Sequence, residues 1–198
     1  MTKLVGITGG IGSGKTTFSS HLKKLGYLVH ESDEVVSEIY TNPKKQFLSF
    51  IKKKISQDVV SHNKINKEEI ANIIFNNNVI KKLLERRIHK EVQISRNSFI
   101  KKNTKKKNKI IFADIPLLLE NKLEKEFDLV VCVISSKANR TKRVLKNKKF
   151  TKENLNKIFK TQTTDKERKK RSQIIINNNK TKKDFIFSVE KVLTRLIK

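Results

Sequence analysis

Apolar residues gather in five short runs along the chain: Lys3–Thr8 (Lys-Leu-Val-Gly-Ile-Thr), Tyr27–His30, Ile110–Asp114, Leu129–Ile134 (Leu-Val-Val-Cys-Val-Ile) and Ile174–Ile176. Each is too short for a helix, and the longer ones lack strict alternation, the pattern of strands buried on both faces. Between them the spacing turns helical. Thr16–Leu25 is an amphipathic stretch stopped by Gly26, a residue suited to end a helix. From Ser32 to about Lys102 the pattern is helical almost throughout, with a break at Pro43. Within it, Asn66-Lys-Glu-Glu69 has the form of a capping box, and Val79, Leu83, Leu84, Ile88, Val92 and Ser95 form one apolar or small face. Lysine-dense Asn103–Lys109 reads as a solvated turn. Further helices are expected from Ser136 through Lys146, from Thr151 past Gln162 to a basic stretch ending near Arg171, and over Asp184–Ile197. Strands alternating with helices imply an α/β fold with a parallel sheet covered on both faces.

Composition changes this picture little. The 198 residues suit one domain with room for small inserted subdomains. The net charge of +27 invites a nucleic-acid reading. Lysine, however, supplies 38 of the 46 basic residues, and lysine, isoleucine and asparagine together make 79 of the 198. All three have A/T-rich codons, so the charge reads as genome bias. A nucleic-acid surface would concentrate arginine and aromatics on one stripe, whereas these lysines are spread along the chain. No nucleic-acid partner is expected. The single cysteine, Cys132, lies in an apolar strand and reads as a buried, inert thiol of a reducing compartment. No signal peptide is recognised, and no apolar run approaches the ~18–20 residues of a membrane span, so a cytoplasmic protein with no membrane partner is expected.

Candidate chemistry begins at Gly9-Gly-Ile-Gly-Ser-Gly-Lys-Thr16, which fits G-x-x-x-x-G-K-[ST] at every fixed position, with a strand before it and a helix after. Glycines at 10, 12 and 14 let phosphate oxygens approach converging backbone N–H groups, and the helix start adds unpaired donors and positive dipole density. In this pattern Lys15 neutralises the β- and γ-phosphates and the Thr16 hydroxyl ligates Mg²⁺. Asp33 follows the second strand, where parallel sheets place ligands. It could take a proton from an acceptor hydroxyl, hold Mg²⁺ through water, or simply cap the next helix. Glu31 and Glu34 read as solvated neighbours. Asp114 ends the third strand, either meeting the water shell of Mg²⁺ or serving as a plain strand-end carboxylate. Arg140 and Arg143 are one turn apart, as are Arg168 and Arg171. Such arginines can fold over a triphosphate and stabilise the transferring charge, or lie on a solvated face. His89 on its own is a polar helix residue.

With these residues in view the chain resembles the dephospho-CoA kinase family. The resemblance is carried by Val5-Gly-Ile-Thr-Gly-Gly-Ile-Gly-Ser-Gly-Lys-Thr-Thr17, Leu25-Gly26, Asp33, Arg87-Ile-His89, Asp114-Ile-Pro-Leu-Leu-Leu-Glu-Asn121, Arg143, Gln162 and Arg168, and runs from Leu4 to about Lys198. It implies a P-loop NTPase fold with a core at about 1–31, 109–136 and 172–198, a helical acceptor-binding subdomain (about 32–108) and a helical lid (about 137–171). It further implies ATP- and Mg²⁺-dependent phosphorylation of the ribose 3′-hydroxyl of dephospho-CoA. Asp33, Lys15 and Arg143 would be catalytic. Gly10, Ile11, Gly12, Ser13, Gly14, Lys15, Thr16, Thr17, Arg143 and Arg168 would bind ATP, and Thr8, Asp33, His89, Leu117 and Arg140 the acceptor. Thr16 and, through water, Asp114 would hold the metal. A monomer is expected, with weak homo-oligomerisation left open. Three positions depart from the family pattern: Lys90 stands where a proline usually follows His89, Asn147 where the lid has an arginine, and Ile175-Ile-Asn-Asn178 where Val-Ile-Asp-Asn is usual. The triphosphate contact of the lid arginine is then either lost or taken over by Lys146 or Lys148. A nucleotide or nucleoside kinase of similar architecture is the alternative reading. A regulatory GTPase would need Asn-Lys-x-Asp after a strand, and Asn121-Lys-Leu-Glu124 ends in Glu and precedes the fourth strand.

Overall fold

The computed structural model describes residues 2–106, 108–147 and 150–197; Lys148, one candidate for the lid cation, lies outside them. In chain order the elements are β1 (Lys3–Thr8), α1 (Lys15–Lys24), β2 (Leu28–Glu31), α2 (Ser32–Thr41), α3 (Lys45–Lys54), β3 (Val60–Ser61), β4 (Lys64–Ile65), α4 (Lys67–Asn76) and α5 (Asn78–Lys105). Then come β5 (Ile110–Asp114), β6 (Leu129–Ile134), α6 (Lys137–Leu145), α7 (Lys152–Thr161), α8 (Asp165–Lys170), β7 (Ile174–Asn177) and α9 (Lys182–Ile197). Two compact units result, one of Met1–Glu31 with Ile100–Lys198, the other of Ser32–Phe99.

The first unit is built on a five-stranded parallel sheet in the order β2-β5-β1-β6-β7. Its strand periodicity assigns one set of side chains to each face. Val5, Ile7, Phe112, Val131 and Val133 join Phe18 and Leu22 of α1 and Phe185, Val189 and Leu193 of α9 in one core cluster. Ala113 and Val130 join Ile115, Leu118, Leu119 and Phe127 in another. Both faces are covered, which explains why these strands read as continuous apolar runs. Helix α1 ends in a Schellman motif: Gly26 has φ +83°, Tyr27 N–H donates to Leu22 O (3.0 Å) and Gly26 N–H to Lys23 O (3.0 Å). The helix starts read from sequence at Ser136 and Thr151 are both capped by those side chains, which accept from Asn139 N–H and Asn154 N–H. Cys132 is fully buried in β6, and burial pushes its thiol up to about 11, which keeps it protonated and inert.

The second unit packs Phe47, Leu48 and Ile51 of α3 against Val59, Ile65, Ile70 and Leu84. Asn66 caps α4, accepting from Glu69 N–H at 3.2 Å, and the chain breaks between α2 and α3 around Pro43 as expected.

Four expectations are corrected. The stretch read as helical contains the β3–β4 hairpin, turned by His62 and Asn63 with φ of 49° and 60°. This left-handed pair matches a two-residue hairpin turn, but His-Asn lacks the usual Asn-Gly signature. The solvated turn at Asn103 begins later, because α5 continues to Lys105 on good helix-forming lysines, with Asn103 buried. The helix from Thr151 stops at Thr161, and α8 restarts behind Thr164, whose hydroxyl accepts from Glu167 N–H. Val79, assigned to the apolar face of α5, is 77% exposed.

Candidate active site

Parallel register brings the carboxyl ends of the strands together: Glu31 pairs with Asp114, Ile7 with Asp114, Thr8 with Cys132 and Ile134 with Asn177. The loop Gly9–Gly14 leaves this edge from β1, the central strand. Gly14 sits at the N-cap of α1 with φ +113°, a left-handed geometry that costs an ordinary residue about 1–2 kcal/mol. Lys15 folds back on the loop, its Nζ donating to Gly9 O at 2.8 Å and Gly10 O at 3.4 Å. Those carbonyls hold the ammonium group where a phosphate could take it over.

The arginines fall into distinct positions. A β-carbon at Gly10 would collide with Arg140 Nη1, and would lie 3.2 Å from Arg168 Nη1 and 3.3 Å from Gln162 Oε1. Arg140 therefore stands at the loop, stacked over the Phe159 ring at 4.9 Å. Burial draws its guanidinium below the ordinary value, with Asp165 working the other way; it remains a cation. Arg168 is almost fully buried and donates to Asp165 (2.9 Å) and Glu120 (3.4 Å). Arg143 lies on the carbonyl side of the loop. Its Nη1 reaches Gly12 O (3.3 Å), Ser13 O (3.4 Å) and Ser135 Oγ (3.2 Å), and its Nη2 reaches Asn178 O (2.8 Å). These bonds tie Arg143 to the loop carbonyls and to Asn178 in this structure. Arg171 turns away altogether, to Leu119 O at 2.7 Å and to Glu124. The i, i+3 spacing thus places one arginine pair at the loop and divides the other.

Two further loop contacts escape sequence reasoning. Asn178 Nδ2 donates to Ser13 O at 2.7 Å, and Gln162 Oε1 accepts from Ile11 N–H at 3.0 Å. The only hint of Gln162 was its match to the family. Asn178 appeared merely as part of a divergent segment.

Asp114 ends β5 buried and accepts from Ser19 Oγ of α1 at 2.7 Å. Thr16 is exposed on the first turn of α1 and, with Thr17, lines a surface pocket of about 390 Å³ beside Ser20 and His21. Thr8 is buried at the end of β1, while Leu117 is 38% exposed. Glu31, expected to be solvated, is half-buried and salt-bridged to Lys23 Nζ at 2.6 Å. Lys146 is exposed at the end of α6.

In the second unit, Asp33 is exposed in the first turn of α2, two residues beyond the end of β2. Since α2 starts at Ser32, Asp33 is inside the helix and is not its N-cap. His89 is exposed on α5, and Arg87 is engaged by Glu91 and the Phe50 ring. A groove of about 440 Å³ lies among α2, α3 and α5, with Val35, Ile39, Phe47 and Phe99 against Ser95 and Ser98.

An early test of the loop geometry is Gly14→Ala. Its added methyl collides with Asn178 Nδ2 and must hold a left-handed backbone. The expected result is a melting temperature lower by about 2–8 °C and ATP affinity weakened at least about tenfold. Thermal melts and calorimetric titration check both, and unchanged affinity would remove Gly14 from the phosphate site.

A glycine-rich loop on the central strand of a parallel sheet, with the half-buried Arg140 and the buried Arg168 beside it, defines a P-loop kinase. The dephospho-CoA kinase family model matches residues 3–184. Dephospho-CoA kinases of Fusobacterium nucleatum and Bartonella quintana are 31% and 30% identical over 189 and 196 residues, covering 95% and 99% of both chains. The chain belongs to the dephospho-CoA kinase family, which catalyses the final step of CoA biosynthesis. Among solved structures, dephospho-CoA kinase from Campylobacter jejuni superposes with a TM-score of 0.75 at 23% identity, covering 99% of this chain and 98% of that one. Shikimate kinase from Acinetobacter baumannii gives 0.54 at 15%, covering 100% and 94%. These two likenesses speak for the fold alone.

Proposed function

We propose that this kinase binds ATP on Gly10–Thr17 and transfers the γ-phosphoryl group to the ribose 3′-hydroxyl of dephospho-CoA, with Asp33 accepting the hydroxyl proton. The observation that carries the reading is the convergence of Arg140 and Arg168 on Gly10, which supplies cations where the terminal phosphates of a loop-bound triphosphate would lie. Lys15 exchanges Gly9 O for phosphate oxygens. Helices α6–α8 act as the lid and the helical unit as the acceptor subdomain. The groove among α2, α3 and α5 has an apolar lining with Ser95, Ser98, Asn42, Lys44, Glu38 and Glu91 among its polar groups, a mixture that would suit an arm carrying amides. His89, Leu117, Thr8 and Arg140 were assigned to the acceptor by family resemblance. Burial of Thr8 leaves it a supporting position, and the place of Arg140 at Gly10 favours the triphosphate.

The donor set suits Mg²⁺. The Thr16 hydroxyl and the buried Asp114 carboxylate, fixed by Ser19, are hard oxygen groups at the carboxyl edge of the sheet. Mg²⁺ is commonly held by one or two carboxylates with phosphates and water. When bound, it would neutralise charge on the β- and γ-phosphates; Thr16 would hold it directly and Asp114 through water. Among the described residues no helix is long and apolar enough to cross a membrane, and we place the activity in the cytoplasm, without a nucleic-acid partner.

The test is ATP consumption with Mg²⁺, comparing dephospho-CoA with AMP, CMP and adenosine as acceptors. Turnover with dephospho-CoA alone, yielding CoA, is expected. Turnover with a nucleotide instead would overturn the acceptor and leave the phosphate loop standing.

A further inference from the structure

We infer that Gln162 is a catalytic residue whose carboxamide N–H donates to the phosphoryl group in transfer, an inference that rests on the proposed ATP site. The argument starts from Ile11, whose backbone N–H can only donate. Its bond to Gln162 Oε1 (3.0 Å) therefore fixes the carboxamide orientation, and among the described residues no acceptor takes the hydrogens of Nε2. The oxygen lies 3.3 Å from where a Gly10 β-carbon would stand, the same point that Arg140 Nη1 and Arg168 Nη1 approach.

The backbone carrying this side chain is pinned. Gln162 N–H donates to Ile158 O at 3.1 Å, closing α7. The next residue, Thr163, donates its N–H to Glu120 Oε1 at 2.9 Å. The same carboxylate oxygen takes Arg168 Nη2 at 3.4 Å. Glu120 thus sets the bend between α7 and α8, aiming Gln162 and Arg168 at the loop together. A transferring phosphoryl group spreads charge over three equatorial oxygens. Beside the cations Lys15, Arg140 and Arg168, a neutral, directional amide supplies a further donor without adding positive charge.

Two substitutions separate this role from simple bracing of the loop. Gln162→Glu keeps an oxygen for Ile11 N–H but has no amide hydrogen and sets negative charge against the phosphoryl group. Gln162→Ala removes both functions. We expect Gln162→Ala to lower kcat by about 10²–10³, the usual loss of one transition-state donor, and Gln162→Glu to lower it at least as far. ADP affinity, which involves no γ-phosphate, should stay within about twofold of wild type, as should the KM for dephospho-CoA. Wild-type kcat in Gln162→Glu, or a kcat loss matched by an equal loss of ADP affinity, would reduce Gln162 to a brace and overturn the inference. A wild-type protein that does not turn over dephospho-CoA would instead overturn the underlying reading.

Discussion

Lys15→Ala should leave a folded protein that does not measurably turn over. In the structure the ammonium group bonds to Gly9 O and Gly10 O, so its removal costs the loop these exchangeable contacts. Against a triphosphate the loss is far larger. One charge pair at 4 Å and an effective dielectric of about 20 is worth ~4 kcal/mol, roughly a thousandfold in rate, and the terminal phosphates carry more than one charge. Arg140 and Arg168 cannot compensate, being held by Phe159, Asp165 and Glu120. Steady-state kinetics beside a circular-dichroism melt would check this. A folded variant with near-wild-type kcat would remove Lys15 from the γ-phosphate.

Asp33→Asn is the second large effect. If Asp33 takes the hydroxyl proton, the amide removes the base while keeping size and shape, and kcat should fall by about 10²–10⁴, with little change in KM for ATP. The residue is exposed in the first turn of α2, where a carboxylate also favours the helix dipole. A role confined to that dipole would lower the melting temperature and spare kcat. Measuring both on one preparation separates the two roles.

How far the sequence disclosed this molecule depended on the range of each interaction. The five strands were legible because burial on both faces leaves unbroken apolar runs, and the phosphate loop because its backbone geometry demands glycines at fixed spacing. Local capping by Asn66, Ser136 and Thr151 was legible for the same reason. The Ile11–Gln162 and Ser13–Asn178 contacts join residues 151 and 165 positions apart, and nothing periodic marks them. Arg168 and Arg171 carry the same spacing as Arg140 and Arg143, yet Glu124 and Leu119 O draw Arg171 away. The hairpin at His62-Asn63 went unseen because neither residue is the glycine that usually betrays such a turn.

The position of β1 between β5 and β6 carries a consequence for endurance. A site at the end of an edge strand could be disrupted by local fraying, but one at the end of the middle strand keeps its geometry until the whole sheet opens. Nucleotide held there, as proposed, would add to global stability, about 2.7 kcal/mol at a hundredfold excess over Kd. Depletion of nucleotide would then lower the stability of the protein as well as stop its reaction.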